Sequence, residues 1–204
     1  MSVNSDLFKK MLVIGESIIK AHEYKMAYLA IQEALKDEDH NRLINASRGF
    51  FGATRNALLV ALSIEISKLL DNNDESYSMW DLLKEVSNNF PNESQKIKTL
   101  KKVLSSRHDT LIQNLKTQRN KYYAHLDNEY LLQQRNLLQN IAPTDFSELS
   151  NALETIQKTF LEIKHMFVHL DTQTLTLNQE ASYVFDLYLL LDAINKKQDD
   201  EVTP

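Results

Sequence analysis

Apolar side chains recur along most of this chain at steps of three and four. Over residues 7–35 they fall at Leu7, Met11, Ile14, Ile18, Ala21, Tyr28, Ile31 and Leu35, with one longer gap, which is the period of a helix that buries one stripe. Ser5 stands where an N-cap belongs, and Gly15 loosens the early turns without ending them. The polar residues 37–41 predict a connection, and a second helix follows from about Arg42 to Leu70, ended by the turn-forming cluster Asp71-Asn72-Asn73-Asp74. Ser78, with Asp81 three positions on, reads as a capping box that opens a short helix to about Val86, closed by Asn88-Asn89-Phe90-Pro91. Asn92 with Gln95 predicts the next start, and Ile97, Leu100, Leu104, Leu111 and Leu115 continue that helix. Past Pro143, Asp145 with Glu148 caps a helix bearing Leu149, Leu153, Ile156, Phe160, Ile163 and Phe167. Residues 172–177 alternate like a strand too isolated to pair, and 180–194 return to the helical period. The reading is all-α: one helical domain over residues 1–195, an up-and-down bundle of four to five main helices with a short extra one, and a disordered tail over 196–204.

Composition agrees. Three Gly and three Pro leave little material for the many tight turns of sandwiches and barrels, while 43% hydrophobic residues in 204 suffice for one sizeable core. With no cysteine, disulfides, thiolate metal sites and Cys nucleophiles are excluded together. The most apolar window, 57–70, is interrupted by Ser63, Glu65, Ser67 and Lys68, so neither a signal peptide nor a spanning helix is expected, and the expected address is the cytoplasm.

A net charge of -5 hides a local reversal. Between residues 96 and 125 lie Lys96, Lys98, Lys101, Lys102, Arg107, Lys116, Arg119 and Lys121 against the single acid Asp109. A basic stripe on an acidic body suits a local phosphate contact, and it equally suits a solvated helix face.

That stripe runs into Arg119-Asn120-Lys121-Tyr122-Tyr123-Ala124-His125-Leu126-Asp127. An Arg followed after five residues by His resembles the signature of the HEPN superfamily, and the longer string resembles its abortive-infection, AbiU-type branch. The upstream segment Phe50-Phe51-Gly52-Ala53-Thr54-Arg55-Asn56-Ala57-Leu58, running into Leu69-Leu70-Asp71 and then a short helix, is similar to the second helix of that branch. The likeness spans about residues 5–170 and is diffuse outside the motif. It implies a HEPN-like bundle, a homodimer with the two motifs at or near its interface, and RNA cleavage in phage defence or as the toxin of a toxin-antitoxin pair. A regulatory or antitoxin protein then becomes an expected partner, and no membrane contact is expected.

The chemistry fits those residue types. RNA is cut without a metal when its own 2′-hydroxyl attacks the adjacent phosphorus, which needs a base, an acid and positive charge on the phosphoryl oxygens. His125 supplies proton transfer near neutral pH, and Arg119 supplies a permanently charged fork. Asn120 is the third candidate catalytic residue, orienting the imidazole or donating to phosphate. Lys101, Lys102, Lys116 and Lys121 are candidate phosphate contacts, and Tyr122 and Tyr123 are candidates for stacking on bases or for buried packing. Six helical steps rotate by about 240° and rise about 9 Å, so Arg119 and His125 of one copy do not share a face and one copy makes a poor site; the resemblance implies a twofold dimer that supplies two of each around one cleft.

Competing readings stand beside this one. Arg119 can pair with a carboxylate of a neighbouring helix while His125 caps a helix end. The chain can be a non-catalytic module binding RNA, a nucleotide or a partner protein through its basic face. Glu162, His165 and His169 share a helix face, but the second Glu-x-x-His that a di-metal bundle requires is missing. No metal and no cofactor are therefore expected. The acidic turns 37–39 and 71–75 read as solvated loops, and His22 and His108 receive no role.

Overall fold

The computed structural model describes residues 5–36, 38–72, 77–120 and 142–170. Among these residues six α-helices follow in order: α1 Ser5–Ala34, α2 Glu38–Ala46, α3 Arg48–Leu69, α4 Met79–Asn89, α5 Ser94–Gln118 and α6 Phe146–Leu170, with a 3-10 turn at Pro91–Glu93 ahead of α5. No strand occurs among the described residues. The all-α bundle expected from the periodicity is the fold; the proposed strand at 172–177 and helix at 180–194 lie outside the described residues.

One core joins five of these helices. Leu7, Ile14, Ile18 and Ala21 of α1 meet Leu62, Ile66 and Leu69 of α3, Leu82, Leu83 and Val86 of α4, Ile97, Leu104, Leu111 and Leu115 of α5, and Leu149, Leu153, Ile156, Phe160 and Ile163 of α6. Each is the inward position of its stripe, and burying a side chain of this size contributes about 1.5–3 kcal/mol. Burial stops abruptly along α1 and α3. Beyond Lys25 on α1, and before Leu62 on α3, only Ile44 of α2 is buried among the residues whose exposure is described, and Phe50 is 66% exposed. Tyr28, Ile31 and Leu35 continue the apolar period yet are only half-buried, Tyr28 stacking on Phe146 at the start of α6 with ring centroids 4.5 Å apart. By length and composition α3 could span a membrane; its C-terminal half is packed in the core.

Several boundaries follow from local chemistry. Ser78 caps α4 by accepting from the Asp81 amide at 3.3 Å. At the start of α6 the box closes in both directions, the Glu148 amide donating to Asp145 Oδ1 at 2.7 Å and the Asp145 amide to Glu148 Oε2 at 3.3 Å. Two expectations change. The second helix is divided at Ser47, which leaves helical geometry with φ -121° and ψ 38°; Asn45, Ser47 and Gly49 are weak helix formers clustered within five residues, and α2 begins within the stretch read as a connection. Asn92 caps nothing: Pro91 opens the 3-10 turn, and α5 continues from it without a side-chain cap.

Candidate functional site

Along α5, Ser105, Asp109, Ile112, Lys116 and Arg119 follow one another at steps of four and three and so form a single stripe. This stripe is one wall of a cleft of about 350 Å³ whose other walls are the end of α3, at Ser67, Leu70, Asp71 and Asn72, and Trp80 at the start of α4. The Trp80 indole donates to the Leu70 carbonyl at 2.9 Å, which ties α4 to the last residue of the turn out of α3 and fixes the ring.

Arg119 sits at the mouth. The last turn of α5 widens into a π turn over Arg119 and Asn120, a local irregularity that recurs at functional sites. The guanidinium donates through Nη1 to Asp71 Oδ2 at 2.5 Å and through Nε to Asn120 Oδ1 at 3.2 Å. With side chains 34% and 16% exposed, Arg119 and Asp71 form a pair at the boundary of solvent. Two contacts hold the fork in place, and five N–H donors leave it capacity for a phosphate. The end of α5 is itself anchored: Gln118 Nε2 donates to the Ala142 carbonyl at 2.7 Å and to Thr144 Oγ1 at 3.1 Å, and Asn114 Nδ2 donates to the Pro143 carbonyl at 2.6 Å. The points where the chain leaves α5 and enters α6 are thus fastened together.

The sequence-derived candidates divide. Arg119 and Asn120 are adjacent and bonded to each other, and Lys116 is exposed on the same cleft. Lys102, exposed, and Lys101, half-buried, continue the α5 stripe upstream, with Lys102 about 21 Å from Lys116 along the axis. His125, Lys121, Tyr122 and Tyr123 lie outside the described residues. Asp71, read from the sequence as part of a solvated turn, is instead the partner of Arg119, as the competing reading of that arginine required. Asp109 and Trp80 were also passed over. The three-and-four spacing that ends at Arg119 was the available signal for Asp109; nothing local marks Asp71, because its partner is 48 residues away.

A second polar cluster lies between α1 and α6. His22 and Lys25 are buried, Lys25 Nζ meets Glu154 Oε1 at 3.4 Å, and His22 is hydrogen-bonded to Gln157. Burial and then the neighbouring Lys25 charge lower the His22 pKa to about 4. Glu162 gives its carboxylate to Lys96 at 2.7 Å, and this bond holds its pKa below the usual value. Among the described residues no group of three or more carboxylates and imidazoles is placed to hold a metal ion.

No curated protein and no solved structure matches the chain. A family model of the HEPN group, described as AbiU2, matches residues 13–184. That span takes in α3, the cleft, α5 and the Arg119-to-His125 motif, and it covers most of the sequence: the chain belongs to the AbiU2 family of the HEPN superfamily.

Proposed function

We propose that this protein is an endoribonuclease of abortive-infection defence, acting in the cytoplasm, that cleaves RNA by its own 2′-hydroxyl, with the site completed between two copies of the chain. The observation that carries this reading is the Arg119 guanidinium, braced by Asp71 and Asn120 at the mouth of a cleft and beside the exposed Lys116. Paired cations of this kind offset the charge that builds on phosphoryl oxygens as phosphorus becomes five-coordinate. His125 follows five residues after Asn120. In the proposed step a neutral His125 imidazole takes the 2′-hydroxyl proton, the 2′-oxygen forms a bond to phosphorus, and the bond from phosphorus to the 5′-oxygen breaks. A protonated His125 from the other copy gives that oxygen its proton. The products are a 2′,3′-cyclic phosphate and a free 5′-hydroxyl, and no redox partner or metal enters the balance.

The test is direct. Purified protein incubated with RNA in excess EDTA is expected to yield fragments ending in cyclic phosphate, and His125→Ala is expected to abolish them while far-ultraviolet circular dichroism stays unchanged. A heterodimer of wild type with an Arg119→Ala/His125→Ala double variant checks the shared site: it stays inactive if two complete motifs are needed and keeps about half the activity if each copy works alone. RNA that is bound but never cut would make the chain a binding module instead.

A further inference from the structure

We propose that the cleft beside Arg119 is a base-selective subsite. It would take the nucleotide adjoining the cleaved phosphate and prefer bases that carry an amino group, cytosine, adenine or guanine, over uracil. This rests on the nuclease reading of the same end of α5 and adds to it the feature of the RNA that is read.

The cleft is chemically graded along the α5 stripe. At its mouth Arg119 and Lys116 are cations one helical turn apart. Two turns back along α5 the wall carries the exposed Asp109 and Gln113, with Ser105 one turn beyond, and Ile112 lies between Asp109 and Lys116, facing the same space as Trp80. Seven residues separate Lys116 from Asp109, about 10 Å along the axis, which is the reach from a phosphate to the far edge of its base. A volume of about 350 Å³ lies within the range of sites that enclose one small ligand. Each section of the wall therefore matches one part of a nucleotide: cations for phosphate, an apolar and aromatic section for the base plane, polar groups for the base edge. The indole is already held through its bond to the Leu70 carbonyl, so a base packing on it orders no additional side chain.

Asp109 supplies the selectivity. An ionised carboxylate only accepts hydrogen bonds, so it rewards an exocyclic amino group and repels the carbonyl oxygen that uracil presents in the same place. Asp109 is the single acid of the basic segment between residues 96 and 125, and for general phosphate binding its charge would be a disadvantage. Its position on the cleft wall gives that charge a use.

The full-length protein would be titrated with the 3′- and 5′-monophosphates of all four nucleosides, with binding followed by changes in its amide NMR spectrum. CMP is expected to bind roughly tenfold more tightly than UMP. Asp109→Asn, which adds a donor, should bring that ratio to within about twofold. Lys116→Ala should weaken all four alike, because it meets phosphate and not base. Equal affinity for the four bases, no binding at millimolar nucleotide, or a CMP-to-UMP ratio that survives Asp109→Asn would each overturn the subsite. The two proposals fail separately. Cyclic-phosphate products whose cut sites ignore the base would retain the nuclease and remove the subsite. Base-selective nucleotide binding by a protein that cuts no RNA would do the reverse.

Discussion

Of the cation–carboxylate pairs that link helices in this bundle, two differ sharply in their surroundings. Lys25 on α1 meets Glu154 on α6 beside a histidine that is 5% exposed, and burial has driven that histidine toward its neutral form. Arg119 at the end of α5 meets Asp71 just past α3, with the guanidinium 34% exposed and a cleft in front of it. The inner cluster links α1 to α6, leaves His22 Nε2 buried without a hydrogen-bond partner among the described residues, and holds an imidazole that has lost its charge near neutral pH. The outer pair retains unpaired donor capacity facing open space. A charged pair between helices signals chemistry only when part of it still faces a place where a ligand can go.

The largest expected effect belongs to the inner cluster and concerns stability. His22 binds its proton with a pKa of about 4 in the folded chain against 6.5 when unfolded. Between these values the unfolded chain takes up more protons, so stability is complete above pH 6.5 and falls as pH drops toward 4, by about 3 kcal/mol in all. Urea unfolding of wild type and His22→Leu across this window measures it: the wild type should lose stability relative to the variant by that amount. Parallel curves would mean that His22 is not buried neutral. Next in size, Arg119→Ala should lower RNA cleavage by about 100-fold, or about 2.7 kcal/mol in the barrier, with little change in unfolding midpoint. A variant that unfolds much more readily and cuts normally would reverse the roles assigned to the two clusters. Asp71→Asn is a smaller perturbation, because Arg119 keeps Asn120 and an amide oxygen in place of the carboxylate. About a tenfold loss of kcat with KM nearly constant is expected, as for a residue that positions another.

The inner and outer sites were not equally legible in the sequence. Helical period located α1, α5 and α6 and chose their inward faces, because packing a stripe is a local requirement that every turn repeats. The caps at Ser78 and at Asp145 with Glu148 were readable for the same reason. Arg119 and Asn120 were legible through their motif, and Lys116 through the charge of its segment. Asp71 was not, since its meaning comes from a contact across 48 residues and its neighbours Asn72 and Asn73 make it look like any polar turn. His22 was missed on the opposite ground: next to Ala21 on an amphipathic helix it carries no pattern, and only the approach of Gln157 and Glu154 from α6 makes it a buried polar group. The break at Ser47 shows that weak helix formers can outweigh a hydrophobic period that continues on both sides.

The smallest expected effect separates the two regions most cleanly, because the same atom change can be made in both. Glu154→Gln replaces a carboxylate that is 49% exposed and 3.4 Å from the Lys25 ammonium. Solvent screens that pair, and the lysine stem can carry its charge toward the surface once the partner is neutral. A loss of about 1 kcal/mol in unfolding free energy is therefore expected, well below the cost of stranding a fully enclosed charge. RNA cleavage should not change. Asp71→Asn should give the mirror result, with cleavage falling and stability moving by less than about 1 kcal/mol. Equal stability losses with equal activity losses in the two variants would show that both pairs serve packing alone, and the cleft would lose its claim to chemistry.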